Sequence, residues 1–133
     1  MATVVKLVAT GRRICAERLE GTGSEPKRIR WGTGTTAPED TDHELETQAS
    51  ESTVTGTSSV TTTTTTNDTY RVVGTMTSNS TQTITEAALF NSADDLFIRG
   101  TFDGIPLENG DSIQFTIEGQ FIATSRGDID GTT

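Results

Sequence analysis

Few residues of this 133-residue chain could carry out chemistry. It contains one cysteine, Cys15, and one histidine, His43. A thiol activated by an imidazole is a nucleophile, so the two could support covalent catalysis if the fold brought them together. A lone cysteine is more often a small apolar residue on a helix face, and this interpretation is favoured for Cys15. The sequence therefore predicts no enzyme, no catalytic residue and no cofactor.

Acidic side chains cluster in the segment APEDTDHELET, at Asp40, Asp42, Glu44 and Glu46. Carboxylate oxygens are the ligands that Ca²⁺ and Mg²⁺ prefer, but the spacing does not follow a calcium-binding loop. A solvated acidic loop with an exposed His43 is favoured, and no metal ligands are assigned. Cation binding by this loop stays open as an alternative.

Two glycines, Gly32 and Gly34, follow a short alternating segment that begins at Arg28. Such a pair could cradle a phosphate, but a nucleotide-binding loop also needs a third glycine, a following helix and a lysine. A tight bend that lets Trp31 cover the edge of the core is the favoured interpretation.

Composition limits the partners that the chain can have. The net charge is −9 and the isoelectric point is near 4.4. Neither nucleic acid nor an anionic membrane is therefore expected as a partner, because both attract basic surfaces. No apolar run approaches the length of a membrane span, and use without secretory export is expected. The acidity fits either a halophilic host or an ordinary acidic protein.

The core is expected to be small and to lie mainly in one region. Hydrophobic residues make up 31% of the chain and aromatic residues 5%, which is lean for a globular domain. Three strands are predicted, Thr83–Asn91, Asp95–Asp103 and Ser112–Phe121, and they are expected to form one rigid face. Apolar and polar residues alternate most clearly in the third, where Ile113, Phe115 and Ile117 share a face.

The N-terminal region is predicted to contain one helix. Residues 2–9 form a short strand, a helix entry or an arm. A helix from Thr10 to Glu20 follows, with Thr10 as its N-cap and Gly21 closing it. Its apolar face would hold Ile14, Cys15 and Leu19.

The Thr-rich middle of the chain is predicted to form a long hairpin. One mostly exposed strand from about Thr53 to Thr66 would pair with Tyr70–Ser78. In the second strand Tyr70, Val72, Gly74 and Met76 share a face. Asn67 and Asn79 match the N-glycosylation pattern and fall in predicted loops, so modification of either stays open.

Together these elements predict a mainly β fold, an antiparallel β-sandwich (jelly-roll-like) with one short N-terminal helix. Residues 1–122 would form a single domain and residues 123–133 a polar tail, in which Arg126-Gly-Asp128 is not interpreted as an adhesion motif. A lean core favours a homo-oligomer. Six aromatic residues are expected to lie in the core or at contacts with other subunits: Trp31, Phe90, Phe97, Phe102, Phe115 and Phe121.

Four short motifs in a fixed order resemble a family of small structural proteins of tailed viruses. They are the Gly-Thr-Gly-Thr turn at Trp31–Thr36, the acidic segment Asp40–Gln48, the strand at Glu86–Asn91 and the final strand at Gly110–Phe121. The acidic segment departs from the usual pattern, because it runs into Gln48-Ala-Ser-Glu51 where an arginine is common. The match spans most of the chain, from about Gly11 to Phe121.

The resemblance implies a virion structural protein, assembled in the host cytoplasm. The favoured role is a head decoration or cement subunit, expected as a homotrimer that contacts the major capsid protein or other virion proteins. A tail, fibre or vertex-turret subunit is the alternative. A glycan-binding adhesin is a second alternative, for which Trp31 and Tyr70 are the available aromatic residues.

Overall fold

The computed structural model describes residues 3–122 and Gly131. The described part contains one helix and eight strands. In chain order these are β1 (Thr3–Leu7), α1 (Ala9–Glu20), β2 (Arg28–Gly32), β3 (Val54–Thr55), β4 (Thr57–Thr61), β5 (Thr69–Thr77), β6 (Gln82–Phe90), β7 (Leu96–Leu107) and β8 (Ser112–Gln120). Apart from Gly131, the predicted polar tail lies outside the described residues.

The strands form two antiparallel sheets with a core between them. The five-stranded sheet has the order β1-β7-β6-β2-β3 and the three-stranded sheet the order β4-β5-β8. Buried side chains of both sheets form one cluster, which includes Ile29, Trp31 and Leu89 from the first sheet and Val72 and Met76 from the second. The predicted fold class, a mainly β antiparallel sandwich with one short helix, is confirmed.

The three strands predicted near the C-terminus exist, but they do not form one face. Strands β6 and β7 are neighbours in the five-stranded sheet, whereas β8 pairs with β5 in the other. The turn before β8 crosses from the first sheet to the second. A hydrogen bond from Gly110 N to Ser78 O (2.8 Å) holds it in place. Strand β7 also continues to Leu107, so the predicted loop from Gly104 is shorter than expected.

The long Thr-rich strand is corrected as well. The chain leaves the first sheet after β3 and enters the second at β4, and Gly56 lies at the crossing with its N–H bonded to Lys27 O (2.7 Å). Strand β4 ends at Thr61, and most of the threonine run then folds into a loop. The hairpin itself is confirmed, because β4 and β5 pair antiparallel.

The helix is present with a different start. Its N-cap is Val8, without a side-chain cap, so the prediction of Thr10 as the cap is wrong. Val8 is fully buried and its N–H bonds to Phe97 O (3.3 Å), because β1 pairs with β7 immediately before the helix. Gly21 closes the helix in the left-handed conformation (φ 94°), as predicted. Leu19, expected on the apolar face, is 90% exposed.

Candidate functional site

Both sheets leave a free edge on the same side of the sandwich. Strand β8 is the last strand of one sheet and β1 the last strand of the other. A groove of about 350 Å³ lies between these edges, lined by Thr3 and Val5 of β1 and by residues 113–118 of β8. We call β1, β8 and the groove between them the open flank.

Apolar side chains remain accessible in the open flank. Phe102, Ile113, Phe115 and Ile117 are partly buried and pack against the core, while Val5 is 52% exposed. The ring of Phe115 lies with its centroid 6.1 Å from that of Phe102 and contacts the buried Trp31 edge to face (6.2 Å). The core is therefore continuous with the floor of the groove, which indicates a surface suited to contact with another protein.

A second apolar cavity, of about 480 Å³, lies between α1 and the end of the three-stranded sheet. Cys15, Tyr70 and Phe97 line it, with the exposed Leu19 and Phe121. Burial raises the pKa of the Cys15 thiol, which favours the neutral and less nucleophilic form. His43 does not line this cavity and instead contacts Thr41 O (3.4 Å). The geometry offers no nucleophile–base pair from these two residues.

The end of the loop between β4 and β5, at Asn67 and Asp68, and the first residue of β5, Thr69, close one side of this cavity. The carboxylate of Asp68 accepts hydrogen bonds from the backbone N–H groups of Thr63 (2.9 Å), Thr64 (3.1 Å) and Thr65 (2.9 Å) and from the Gln120 amide (3.0 Å). The N–H groups of Thr65 and Thr63 contribute most to holding the pKa of Asp68 far below its usual range. The threonine run thus folds around one carboxylate.

The acidic segment is an ordered cover on the outer face of the five-stranded sheet. Residues 33–47 form this segment, which we call the acidic cover. Its Leu45 is buried in a small second core with Val8, Ala88, Phe90 and Leu96. Most of the segment is exposed, including His43, as expected of a solvated loop, but the buried Leu45 anchors it to the sheet.

A buried ion pair fastens the acidic cover. Glu86 of β6 is fully buried and Arg99 of β7 is 2% exposed, and the Arg99 Nε donates to Glu86 Oε1 (3.1 Å). The same carboxylate accepts the N–H groups of Gly34 (2.8 Å), Glu46 (3.0 Å) and Thr47 (2.8 Å). Each oxygen of Glu86 therefore receives two donors.

Arg99 completes the attachment from the other side of the pair. Its guanidinium donates to the Asp42 carboxylate (3.0 Å) and to Thr36 O (2.9 Å). In the middle of the cover, Arg12 makes a two-pronged ion pair with Asp40 (2.6 and 2.9 Å), and hydrogen bonding to Arg12 holds the pKa of Asp40 below its usual range.

Glu46 points back into its own loop. It accepts the Thr36 hydroxyl and the N–H groups of Thr36 and Thr35, which lower its pKa in that order. Three of the four clustered carboxylates, those of Asp40, Asp42 and Glu46, thus point at separate partners. Within residues 3–122, no group of three or more His, Cys, Asp or Glu side chains is arranged to hold a metal ion.

The two glycines of the Gly-Thr-Gly-Thr turn are required by close packing. A Cβ on Gly34 would lie 2.4 Å from Glu86 Oε2, and one on Gly32 would lie 2.1 Å from Thr47 O. The Gly34 N–H, which a phosphate would need, is bonded to Glu86. The turn therefore binds the carboxylate of Glu86 and does not offer a phosphate-binding loop.

The six predicted aromatic residues fall into three environments. Trp31, Phe90 and Phe97 are buried, Phe102 and Phe115 lie partly buried at the groove, and Phe121 is 54% exposed beside the second cavity. The indole N–H of Trp31 bonds to Glu51 Oε1 (2.9 Å). The structure thus places only half of the set on surfaces that another subunit could reach.

Sequence reasoning missed Glu86 and Arg99. Each is a charged residue inside a strand whose neighbours are mostly apolar, and this pattern was the available signal. Asn67 and Asn79 lie exposed in loops as predicted, and their modification stays a prediction.

No helix among the described residues is long and apolar enough to cross a membrane. A scan against protein-family models finds no match, and searches of curated proteins and of solved structures find none either.

Proposed function

We propose that this chain is a structural subunit of a virion, a decoration or cement protein that covers the joints between capsid subunits and stabilises them. One observation carries this proposal, the open flank, where the apolar floor of a groove and two free strand edges stay accessible in the single chain. Such a surface completes its burial against a neighbouring protein. The assignment to a virus is supported by the four sequence motifs, whose order resembles that of small structural proteins of tailed viruses.

The mechanism is stabilisation by burial. Apolar area removed from water at a joint contributes roughly 25 cal/mol per Å². Each copy seated across a joint therefore makes separation of the capsid subunits more costly, and the head better resists the pressure of its genome. The rigid sandwich and the anchored acidic cover suit this task, because little conformational freedom is lost on binding.

The expected partners are proteins: copies of this chain, and the major capsid protein or other virion proteins. A net charge of −9 repels nucleic acid and anionic lipid. The adhesin alternative loses support from the geometry. Trp31 is 1% exposed, and the Tyr70 hydroxyl is bonded to Pro26 O (2.8 Å) and Glu25 (3.2 Å).

The deciding experiment is a cryo-EM map of the virus whose genome encodes the chain. Many copies over capsid joints, with heads that rupture at lower temperature when the gene is deleted, would support the decoration role. A few copies at the tail or the five-fold vertices would assign the tail, fibre or turret role instead. Absence of the chain from purified particles would refute the virion assignment.

A further inference from the structure

We propose that two copies of this chain join edge to edge along β8, antiparallel, about a two-fold axis at Thr116. The pairing would continue the two three-stranded sheets into one sheet of six strands. It concerns how copies meet, and so it goes beyond the proposed function and does not rest on the virion assignment.

Strand β8 is the longest free edge in the described part of the chain. It has nine residues, whereas the other edge strands, β1, β3 and β4, have five, two and five. Natural edge strands are protected by lysine, proline, bulges or short length. Strand β8 carries no lysine or proline, and its pairing with β5 shows no register shift. Its one charged residue, Glu118, is paired with Arg71 of the same sheet.

The hydrogen bonds at the two ends of β8 show which of its residues bond to β5 and which face the free edge. Phe121 N donates to Asp68 O (2.9 Å), and Ser78 N donates to Asp111 O (2.7 Å). Both bonds continue the β5–β8 register, and bonded and non-bonded positions alternate along an antiparallel pair. The odd-numbered residues of β8 therefore bond to β5. The even-numbered residues, from Ser112 to Gln120, turn their N–H and C=O groups toward the free edge.

A second copy of β8 satisfies these outward groups in one register that uses the whole strand. With Thr116 opposite Thr116, the bonded pairs all join even-numbered residues, and about ten N–H···O bonds can form. The side chains agree with this register. Gln114 faces Glu118 of the second copy, Ser112 faces Gln120, and no like charges are opposed.

The apolar face of the strand fits the same register. Phe115 lies opposite Ile117 of the second copy, and Ile113 opposite Gly119, so a large side chain meets a position without one. Ile113, Phe115 and Ile117 line the groove of the open flank. The two grooves would thus meet at the axis, and their apolar floors would be continuous with each other.

This geometry differs from the homotrimer that the viral resemblance implies. A contact in which one strand meets its own copy is two-fold by construction and closes at two chains, whereas a ring of three needs two different surfaces. The molecular mass of the purified protein in solution therefore distinguishes a dimer from a trimer.

The first test is sedimentation equilibrium of the 14.2 kDa chain at molar salt, where charge repulsion between copies is screened. We expect twice the chain mass. The variant Thr116→Pro should sediment as a monomer with unchanged circular dichroism, because it removes an outward N–H and leaves the ladder to β5 intact. Thr116→Val, the matched control, should remain dimeric. A monomeric or trimeric wild type, or a dimeric Thr116→Pro, would overturn the pairing.

The second test is cross-linking, which reads the register directly and does not depend on the proline variant. Cys15 is first changed to Ser, and Thr116→Cys or Gln114→Cys is then introduced. Across the proposed axis the two copies of position 116 lie about 5.5 Å apart between Cα atoms, within disulfide reach, whereas the two copies of position 114 are offset by four residues, roughly 13 Å along the strand. We expect oxidation to link the Thr116→Cys variant at least tenfold faster than the Gln114→Cys variant.

Equal linking rates, or none in either variant, would refute the register. A monomer in solution that is still found at high copy number in virions would refute the pairing and leave the proposed function standing.

Discussion

At the scale of single residues, one buried carboxylate organises the outer face of the larger sheet. Glu86 receives Arg99 and three backbone N–H groups, so a single side chain joins two strands to a segment far away in sequence. Buried charges are costly unless they are paired and fully hydrogen-bonded. Glu86 meets that condition through its four donors, and its removal would leave each of them without an acceptor.

Glu86→Gln should lower the free energy of unfolding by about 3–5 kcal/mol, the usual cost of breaking a buried ion pair. The amide NH₂ would face N–H donors in either orientation, because each carboxylate oxygen of Glu86 accepts two. Urea unfolding monitored by Trp31 fluorescence measures the loss. The half-exposed pair Arg71–Glu118 supplies the control, since Glu118→Gln should cost ~0–1 kcal/mol.

Simple ion pairs can often be replaced by apolar residues without loss. The double variant Glu86→Leu, Arg99→Met should nevertheless stay clearly less stable than the wild type, because the N–H groups of Gly34, Glu46 and Thr47 would remain without acceptors. Recovery to within about 1 kcal/mol of the wild type would contradict the assigned role of these N–H bonds.

Asp68 should make part of the stability of the fold depend on acid pH. Its pKa is depressed in the folded state, so its contribution is fully present above the unfolded value of about 4 and is lost as the pH falls below that value. Asp68→Asn should therefore be less stable than the wild type at pH 7, and the difference should shrink between about pH 4 and pH 2. Urea titrations at several pH values measure it. A difference that is constant with pH would show that the charge of Asp68 contributes nothing.

At the scale of elements, local pattern predicted the strands and long-range pairing decided their places. Alternation located β8 and the shared face of Ile113, Phe115 and Ile117 correctly, because the period of two depends only on neighbouring residues. It could not say that β8 joins β5 and not β7, since both partners offer an apolar face. The Thr-rich segment was predicted too long because Thr suits strands, while the N–H groups of Thr63–Thr65 bind Asp68 instead.

The candidate site was less predictable than the fold. The open flank depends on which edges of the two sheets coincide, and nothing within a single strand carries that information. Composition identifies the acidic segment and predicts a solvated loop, without indicating that it is fixed to the sheet. Leu45 is the one apolar residue between Glu39 and Glu46, and it could have indicated burial.

The attachment of the acidic cover to the sheet should weaken when a side chain is added at Gly34. Gly34→Ala places a Cβ within 2.4 Å of Glu86 Oε2 and 2.5 Å of Glu46 Cβ. Since Glu86 is fully buried and cannot move aside, we expect a loss of about 1–3 kcal/mol and faster hydrogen exchange at the N–H groups of Glu46 and Thr47. Thr35→Ala, at the exposed neighbouring position, should change stability by less than about 0.5 kcal/mol. Unchanged exchange in Gly34→Ala would show that the cover does not depend on this contact.

At the scale of the whole molecule, two properties act against each other. The open flank favours association, while a net charge of −9 on 133 residues repels other copies and strains the folded chain itself. Exposed ion pairs such as Arg12–Asp40 and Arg13–Asp95 offset part of that repulsion, but each contributes little at the surface. The balance between association and repulsion must therefore depend on salt.

Salt should stabilise this protein over a wide range. With 19 acidic and 10 basic side chains, screening removes more repulsion than attraction, and the buried pair Glu86–Arg99 is shielded from the added ions. If the acidity is an adaptation to a halophilic host, the midpoint of thermal unfolding should continue to rise with KCl into the molar range. The variant Glu39→Gln, Glu44→Gln removes two exposed charges and should show a smaller rise. A midpoint that is highest at low salt would refute the halophilic interpretation, because the exposed ion pairs would then outweigh the net repulsion.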